Sequence, residues 1–414
     1  MNNKTRKVLG VVAALAATTL VFGAAVPASA AKAGLKIGAL IPQTGALAFL
    51  GDPIKAGYQL AIDDVNAAGG VNGAKVTIKY ADEADSSTPT VVQNSAASLL
   101  TWGAQVIVGA ASSSNTKNAI DNIVAHKVVQ ISPSNTSPDL TLWPDNGFYF
   151  RTAPSDLFQG AILGNQIVAD GNSKIAVIYQ DSAYGKGLDA ALEKTVKAKG
   201  GTITAAVKFS TGATDFSSIV SQALAGGPQA IALISYDESL QAIPALKTAG
   251  FAGGSKLYLV DGNHKDYSTN AFASYLNGAK ATEPTAGENA AFAKRVAADF
   301  KKNFKKTLTD YTYSTQAYDA VVLAALAATA AGKNTGVAIK GKLTGITAGA
   351  TKVTSYAAGV KALKAGKKIH YFGFSGPIDF DKNGDPAGGT IGVFKYDATG
   401  KSALTKVVAA NAVK

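Results

Sequence analysis

The chain has 414 residues, 47 % of them hydrophobic and 16 % charged, a balance that excludes a disordered protein and is enough for two or three packed domains. It has no cysteine, which excludes a disulfide framework, thiolate metal sites, cysteine-dependent catalysis and a cysteine-linked lipid anchor. The formal charge of +12 rests mostly on single lysines, and only Arg151 and Arg295 lie beyond the N-terminal segment, so nucleic-acid or phosphate recognition is not expected.

Lys4, Arg6 and Lys7 precede an apolar run from Val8 to about Val26, and Ala28-Ser29-Ala30 closes it with small residues. This is the pattern of a cleaved export leader, residues 1–30, with processing after about Ala30. Without its three cations the mature chain carries +9. No later stretch is long and apolar enough to span a bilayer, so the mature protein is expected to be exported and not membrane-embedded.

The pattern then alternates strand and helix, as parallel sheets flanked by helices require. Leu35–Ile41 reads as a strand, 54–68 as a helix ended by Gly69-Gly70, Val76–Tyr80 as a strand and Thr88–Leu100 as a helix. Strand Gln105–Gly109, helix Thr116–His126 and strand Val128–Ile131 complete a first unit of four steps. After Arg151-Thr152-Ala153-Pro154 the rhythm restarts. Helices at 156–170, 188–199, 216–224 and 239–249 alternate with strands at 174–179, 202–209, 230–235 and 256–260. Long helices follow at 289–303 and 315–331, then a shorter one at 355–364, and β-structure from Gly376 with a turn at Asp381–Asp385. The basic cluster Lys301, Lys302, Lys305 and Lys306 has helical spacing beside Phe300 and Phe304, the pattern of a solvated helix face.

Ligands of open α/β sheets sit beyond the carboxyl ends of the strands, and three loops there are rich in small and hydroxyl residues. They are Pro42–Gly51, Gly109–Thr116 and Ser132–Pro138. Such loops expose N–H groups and hydroxyls at helix starts, a setting suited to a carboxylate; ordinary helix capping by Ser and Thr explains any one of them alone.

In order and spacing, Lys36-Ile-Gly-Ala-Leu-Ile-Pro-Gln-Thr-Gly45, Ala61 to Gly73, Gly109 to Ser114, Ile131 to Thr136, Asp181-Ser-Ala-Tyr-Gly-Lys-Gly187, Gln316 to Ala320 and Phe380 to Pro386 together resemble the leucine/isoleucine/valine-binding family of type I periplasmic binding proteins, over nearly the whole mature sequence. The resemblance implies a two-lobed α/β fold, each lobe a mostly parallel sheet between helices, with three crossings near 152–155, 280–285 and 387–392. Lobe 1 is then 31–152 with 284–388, and lobe 2 is 153–283 with 389–414.

It also implies a monomeric solute-binding protein of an ABC importer, taking a branched-chain or related amino acid to a membrane permease, with no cofactor and no catalysis. On the matching positions, Ser113, Ser134 and Thr136, with Ser112 beside them, face the ligand carboxylate. Asp261 meets the ammonium group, a pairing that a buried charge needs. Tyr184 covers the ligand, and Tyr236, Tyr313 and Leu50 are further walls. Leu50 stands where the family often carries an aromatic residue, with Phe49 one place earlier, which leaves room for a different solute: urea, a short amide or an aromatic acid. A ligand sensor is a further alternative.

Other signals point elsewhere. Gly185-Lys-Gly187 lacks the third glycine of a dinucleotide loop. Asp381-Lys-Asn383-Gly-Asp385 imitates the start of a calcium loop but lacks the distal glutamate, so it reads as a turn. His126, His264 and His370 have no metal-ligand spacing, although His264 lies near enough to Asp261 to reach a ligand. An exported hydrolase would need a nucleophile elbow, a metal cluster or a histidine-supported serine, and none is legible.

Overall fold

The computed structural model describes residues 34–409, so the expected leader lies outside the described residues. The chain lays down strand β1 (Lys36–Ile41), helix α1 (Gly51–Ala67), β2 (Thr77–Asp82), α2 (Pro89–Thr101), β3 (Val106–Val108), α3 (Ser113–Ala125), β4 (Val129–Ser132) and β5 (Tyr149–Arg151). These five strands form one parallel sheet in the order β2-β1-β3-β4-β5. β3 and β4 are buried throughout, as expected for strands covered on both faces.

Next come α4 (Asp156–Ala169), β6 (Lys174–Gln180), α5 (Ala183–Ala198), β7 (Thr202–Phe209), α6 (Ser217–Leu224), β8 (Ala230–Ile234), α7 (Ser239–Thr248), β9 (Leu257–Val260) and β10 (Lys280–Pro284). The chain continues through α8 (Ala290–Phe304), α9 (Ser314–Ala331), α10 (Gly336–Leu343), β11 (Thr351–Val353), α11 (Tyr356–Lys364), β12 (Ile369–Gly373) and β13 (Gly376–Pro377), and ends with β14 (Thr390–Tyr396) and β15 (Ser402–Ala409). The second sheet has the order β15-β14-β10-β9-β8-β6-β7; β14 and β15 run antiparallel to their neighbours and the other pairings are parallel. A small third sheet joins β11, β12 and β13.

The chain passes between the large sheets after β5, after β10 and before β14. The last two passages hold each other, Thr285 N–H donating to Thr390 O at 3.0 Å and Thr390 Oγ1 to Thr285 O at 2.6 Å. Gln316 joins the first two: its amide donates to Pro284 O at 2.9 Å, and its carbonyl accepts from Thr152 Oγ1 at 2.9 Å. Arg151, fully buried, makes a two-pronged pair with Asp385, Nε–Oδ1 2.7 Å and Nη2–Oδ2 2.6 Å. The Asp381–Asp385 turn is thereby fastened to the first passage. Asp381 Oδ1 is occupied by the Asn383 and Asp385 N–H groups, as in an ordinary Asx-type turn.

Helix α9 packs against α1 and is buried along most of its length, from Ser314 to Ala328. Its alanines permit close approach, and Gly57 of α1 is required there, since a Cβ would lie 2.2 Å from Ser314 O. Among the described residues no single helix is long and apolar enough to cross a membrane.

The sequence reading missed β5, β10, α10, β11 and β12. β5 and β11 have three residues each, and β10, Lys-Ala-Thr-Glu-Pro, has neither a β-branched run nor alternation. Their pairing is imposed by sheet neighbours rather than by their own propensity.

Candidate functional site

The carboxyl ends of β1, β3 and β4 face those of β6, β8 and β9 across the gap between the sheets. Leu47, Leu50, Ala111, Ser113, Ser134, Tyr184, Tyr236, Asp261, Gly262 and Tyr313 enclose one cavity there, of about 10 Å³, the space of one water molecule. Leu50, Ser113, Ser134, Tyr184, Tyr236, Asp261 and Tyr313 were all named from sequence. Ser112 and Thr136 do not line it. Ser112 caps α3, accepting the Asn115 N–H at 3.4 Å, and Thr136 O accepts the Asp156 N–H at 2.8 Å.

The hydroxyl loops are stitched together. Ser132 Oγ donates to Ala110 O at 2.7 Å and accepts the Asn135 N–H at 3.0 Å. Ser134 Oγ and Asn135 Nδ2 both donate to Ala111 O, at 3.2 and 2.8 Å. Ser113 Oγ accepts the Ser137 N–H at 3.3 Å. Two backbone donors expected to be free for an anion are already taken. Buried Glu83, just after β2, accepts Ala111 N–H at 2.7 Å and Ser112 N–H at 3.0 Å. Burial pushes its carboxyl up to about 8, against the pull of those two N–H groups. The Ser113 and Ser134 hydroxyls are the polar groups this side presents to the cavity.

On the opposite side Asp261 is held by three donors: Tyr184 OH and Gln159 Nε2 to Oδ1, and Tyr313 OH to Oδ2, each at 2.7 Å. Burial raises its carboxyl above the usual carboxylate range, and these donors oppose the rise. With two donors on Oδ1 and one on Oδ2, the lone pair left for a further donor is on Oδ2. Tyr184 stacks on Tyr236 at 5.4 Å and 12°. Gly262 is obligatory, as a Cβ would lie 2.6 Å from Ser235 O and 2.9 Å from the Tyr236 ring. Asp156 is also fully buried nearby; burial and the negative Asp261 push its carboxyl well up.

Sequence reasoning missed Gln159, Glu83, Leu47 and Ala111. Gln159 lies 102 residues from Asp261 in sequence, on the buried face of α4, where nothing local marks it. His264 is turned away from Asp261: Nδ1 meets Glu283 Oε2 at 2.5 Å and Nε2 meets Ser402 Oγ at 2.7 Å, so it ties the Asp261 loop to β10 and β15. Asn263 is structural, bonding Val260 N–H, Leu233 O and Ser235 Oγ, each at 2.9 Å. Phe49 lies outside the cavity, with the Lys265 ammonium 5.2 Å from its ring centre.

Further contacts join the two sides around the rim. Ala183 N–H donates to Ser114 Oγ at 3.0 Å, Ser137 Oγ to Ala183 O at 3.0 Å, and Asp237 N–H to Ala46 O at 3.2 Å. The glycines of Gly185-Lys-Gly187 serve packing. A Cβ on Gly185 would lie 2.0 Å from Gln180 O, and one on Gly187 would lie 2.5 Å from Pro138 on the facing side.

A family model described as periplasmic binding protein matches residues 34–401. The "Leu/Ile/Val-binding protein homolog 3" of Brucella melitensis is 31 % identical over 205 residues, 49 % of this chain and 55 % of that protein. The chain spans about half the length of the curated relatives it matches. A branched-chain amino acid transporter substrate-binding protein of Streptococcus pneumoniae, solved with isoleucine, superposes with a TM-score of 0.72 at 24 % identity, covering 91 % of this chain and 99 % of that one. A solute-binding protein of an R. palustris ABC transporter, solved with benzoate, gives 0.71 at 18 % identity, covering 91 % and 96 %. At these identities the two structures establish the shared two-lobed α/β fold.

Proposed function

This chain belongs to the periplasmic binding protein family, and from that premise we propose that it is the extracytoplasmic solute-binding protein of an ABC importer, capturing a branched-chain or related α-amino acid between two hinged lobes. One observation carries the reading: hydroxyls from the first sheet and a carboxylate from the second close on a single cavity walled by leucines and tyrosines. Ser113 takes the ligand carboxylate, joined by Ser134 once its hydroxyl turns from Ala111 O, and Asp261 takes the ammonium group through the lone pair left on Oδ2. Leu47, Leu50 and Ala111 surround the aliphatic side chain.

In this reading lobe 1 is 31–152 with 284–388, lobe 2 is 153–283 with 389–414, and the lobes turn about the three passages. Room for one water means that the described form is shut more tightly than a bound solute allows; solute enters an open form, and the lobes then close on it to a wider cavity than this one. A ligand favours the closed form only by contacts it gains there, namely those to Tyr184, Tyr236 and Asp261. The closed monomer then docks on a membrane permease and does no chemistry of its own. Removal of the leader after about Ala30 and export without a lipid anchor belong to the same proposal.

A second reading, an aromatic acid as solute, is favoured by the three donors already on Asp261, which satisfy most of its charge without an ammonium group. Thermal unfolding of residues 31–414, refolded after denaturation and scanned against amino acids, amides, urea and aromatic acids, tests both. Stabilisation by branched-chain amino acids, abolished by Asp261→Ala and by Ser113→Ala, supports the first. Stabilisation by aromatic acids that survives Asp261→Ala supports the second, and no stabilisation by any of them overturns both.

A further inference from the structure

A second cavity, of about 380 Å³, lies beside the passages between the sheets, within the rough 300–1,000 Å³ range of small-molecule sites. Both sides build it. The stretch after β10 and the start of α9 contribute, as do Phe394 of β14 and Leu404 of β15. Its lining includes Glu283, Glu288 and Asp310 and contains no lysine or arginine, in a chain whose net charge is +12; His264 lines it too, paired to Glu283, so Glu288 and Asp310 carry the charge the cavity presents. The aromatic rings of Tyr311, Tyr313 and Phe394 share the wall with these carboxylates. Carboxylates attract a cation, and ring faces accept an alkylated ammonium that sheds water. An anion would meet the Glu288 and Asp310 carboxylates.

We propose that this hinge cavity binds a small organic cation. The site does not depend on which solute the cleft takes. One side chain, Tyr313, walls both cavities, and its hydroxyl donates to Asp261 Oδ2 at 2.7 Å. Tyr313 is held at φ 61°, a left-handed conformation that a bulky residue adopts only when its surroundings enforce it. A cation against this ring shifts the group that orients the cleft carboxylate, so occupancy of the hinge changes solute affinity, and by linkage solute changes cation affinity.

The probe is tetramethylammonium chloride, titrated into residues 31–414 by calorimetry against sodium chloride of equal ionic strength. Saturable binding is expected, weakened at least tenfold in the double variant Tyr311→Ala/Glu288→Gln. Both residues are exposed and outside the cleft, so an unchanged thermal melt verifies the fold. Absence of saturation, or saturation unaltered in the double variant, overturns the site. With a cleft solute identified, its affinity should differ at saturating tetramethylammonium, and Tyr313→Phe should remove the difference; unchanged affinity overturns the coupling. A failed search for a cleft solute leaves the cation titration readable.

Discussion

Glu83 buries a carboxyl group without a neighbouring cation, and its two bonds to the Ala111 and Ser112 N–H groups only partly offset the loss of water. With its folded value near 8 and an unfolded value of about 4.3, the sign of the pH effect follows. Below the unfolded value both states hold the proton. Between the two values only the folded chain holds it, so stability falls as pH rises, and above about 8 the loss is complete. Glu83→Gln removes that dependence while losing part of the double acceptance. Denaturant unfolding should find the variant less stable than the parent near pH 5, with the gap narrowing steadily toward pH 8; a gap that does not vary with pH would refute this. At this scale the family resemblance marked cavity residues that end strands or open helices, such as Ser113, Tyr184 and Asp261. It gave no sign of Glu83 or Gln159, whose roles arise from contacts across 28 and 102 residues.

Helix α5 carries two glycines, two positions apart, that meet different obstacles. The Cβ of Gly185→Ala would strike Gln180 O on the same side of the gap, at 2.0 Å. That variant should lose about 1–3 kcal/mol of stability, the usual range for overpacking. The Cβ of Gly187→Ala would instead strike Pro138 across the gap, at 2.5 Å. Alanine is the better helix former, so Gly187→Ala should melt no lower than the parent yet bind solute at least tenfold more weakly, because closure is obstructed. Equal loss of melting temperature in both variants would contradict the distinction. The alternation of strand and helix was legible for long, strongly patterned elements such as α1, α4 and β6. β10 was not, because its five residues earn their place by lying between β9 and β14.

Across the whole molecule the passages between the sheets are fixed by a few buried polar groups. Arg151, 0 % exposed, depends on Asp385 for its charge. Asp385→Ala leaves a buried guanidinium unpaired and should cost about 3–5 kcal/mol in denaturant unfolding; a loss below 1 kcal/mol would show the pair to be dispensable. The doubled architecture could be read from the restart of the pattern after Arg151. The return of β14 and β15 to the second sheet was implied by the family resemblance and not by the pattern itself, since their partner strand is more than a hundred residues earlier.

The central claim is that a solute is held between a hydroxyl side and Asp261. Calorimetric titration of refolded residues 31–414 with isoleucine, beside Asp261→Ala, tests it most directly. The account predicts one site per chain in the parent and a loss of at least a hundredfold in the variant, about 2.7 kcal/mol or more. Binding of equal strength in both proteins would contradict it.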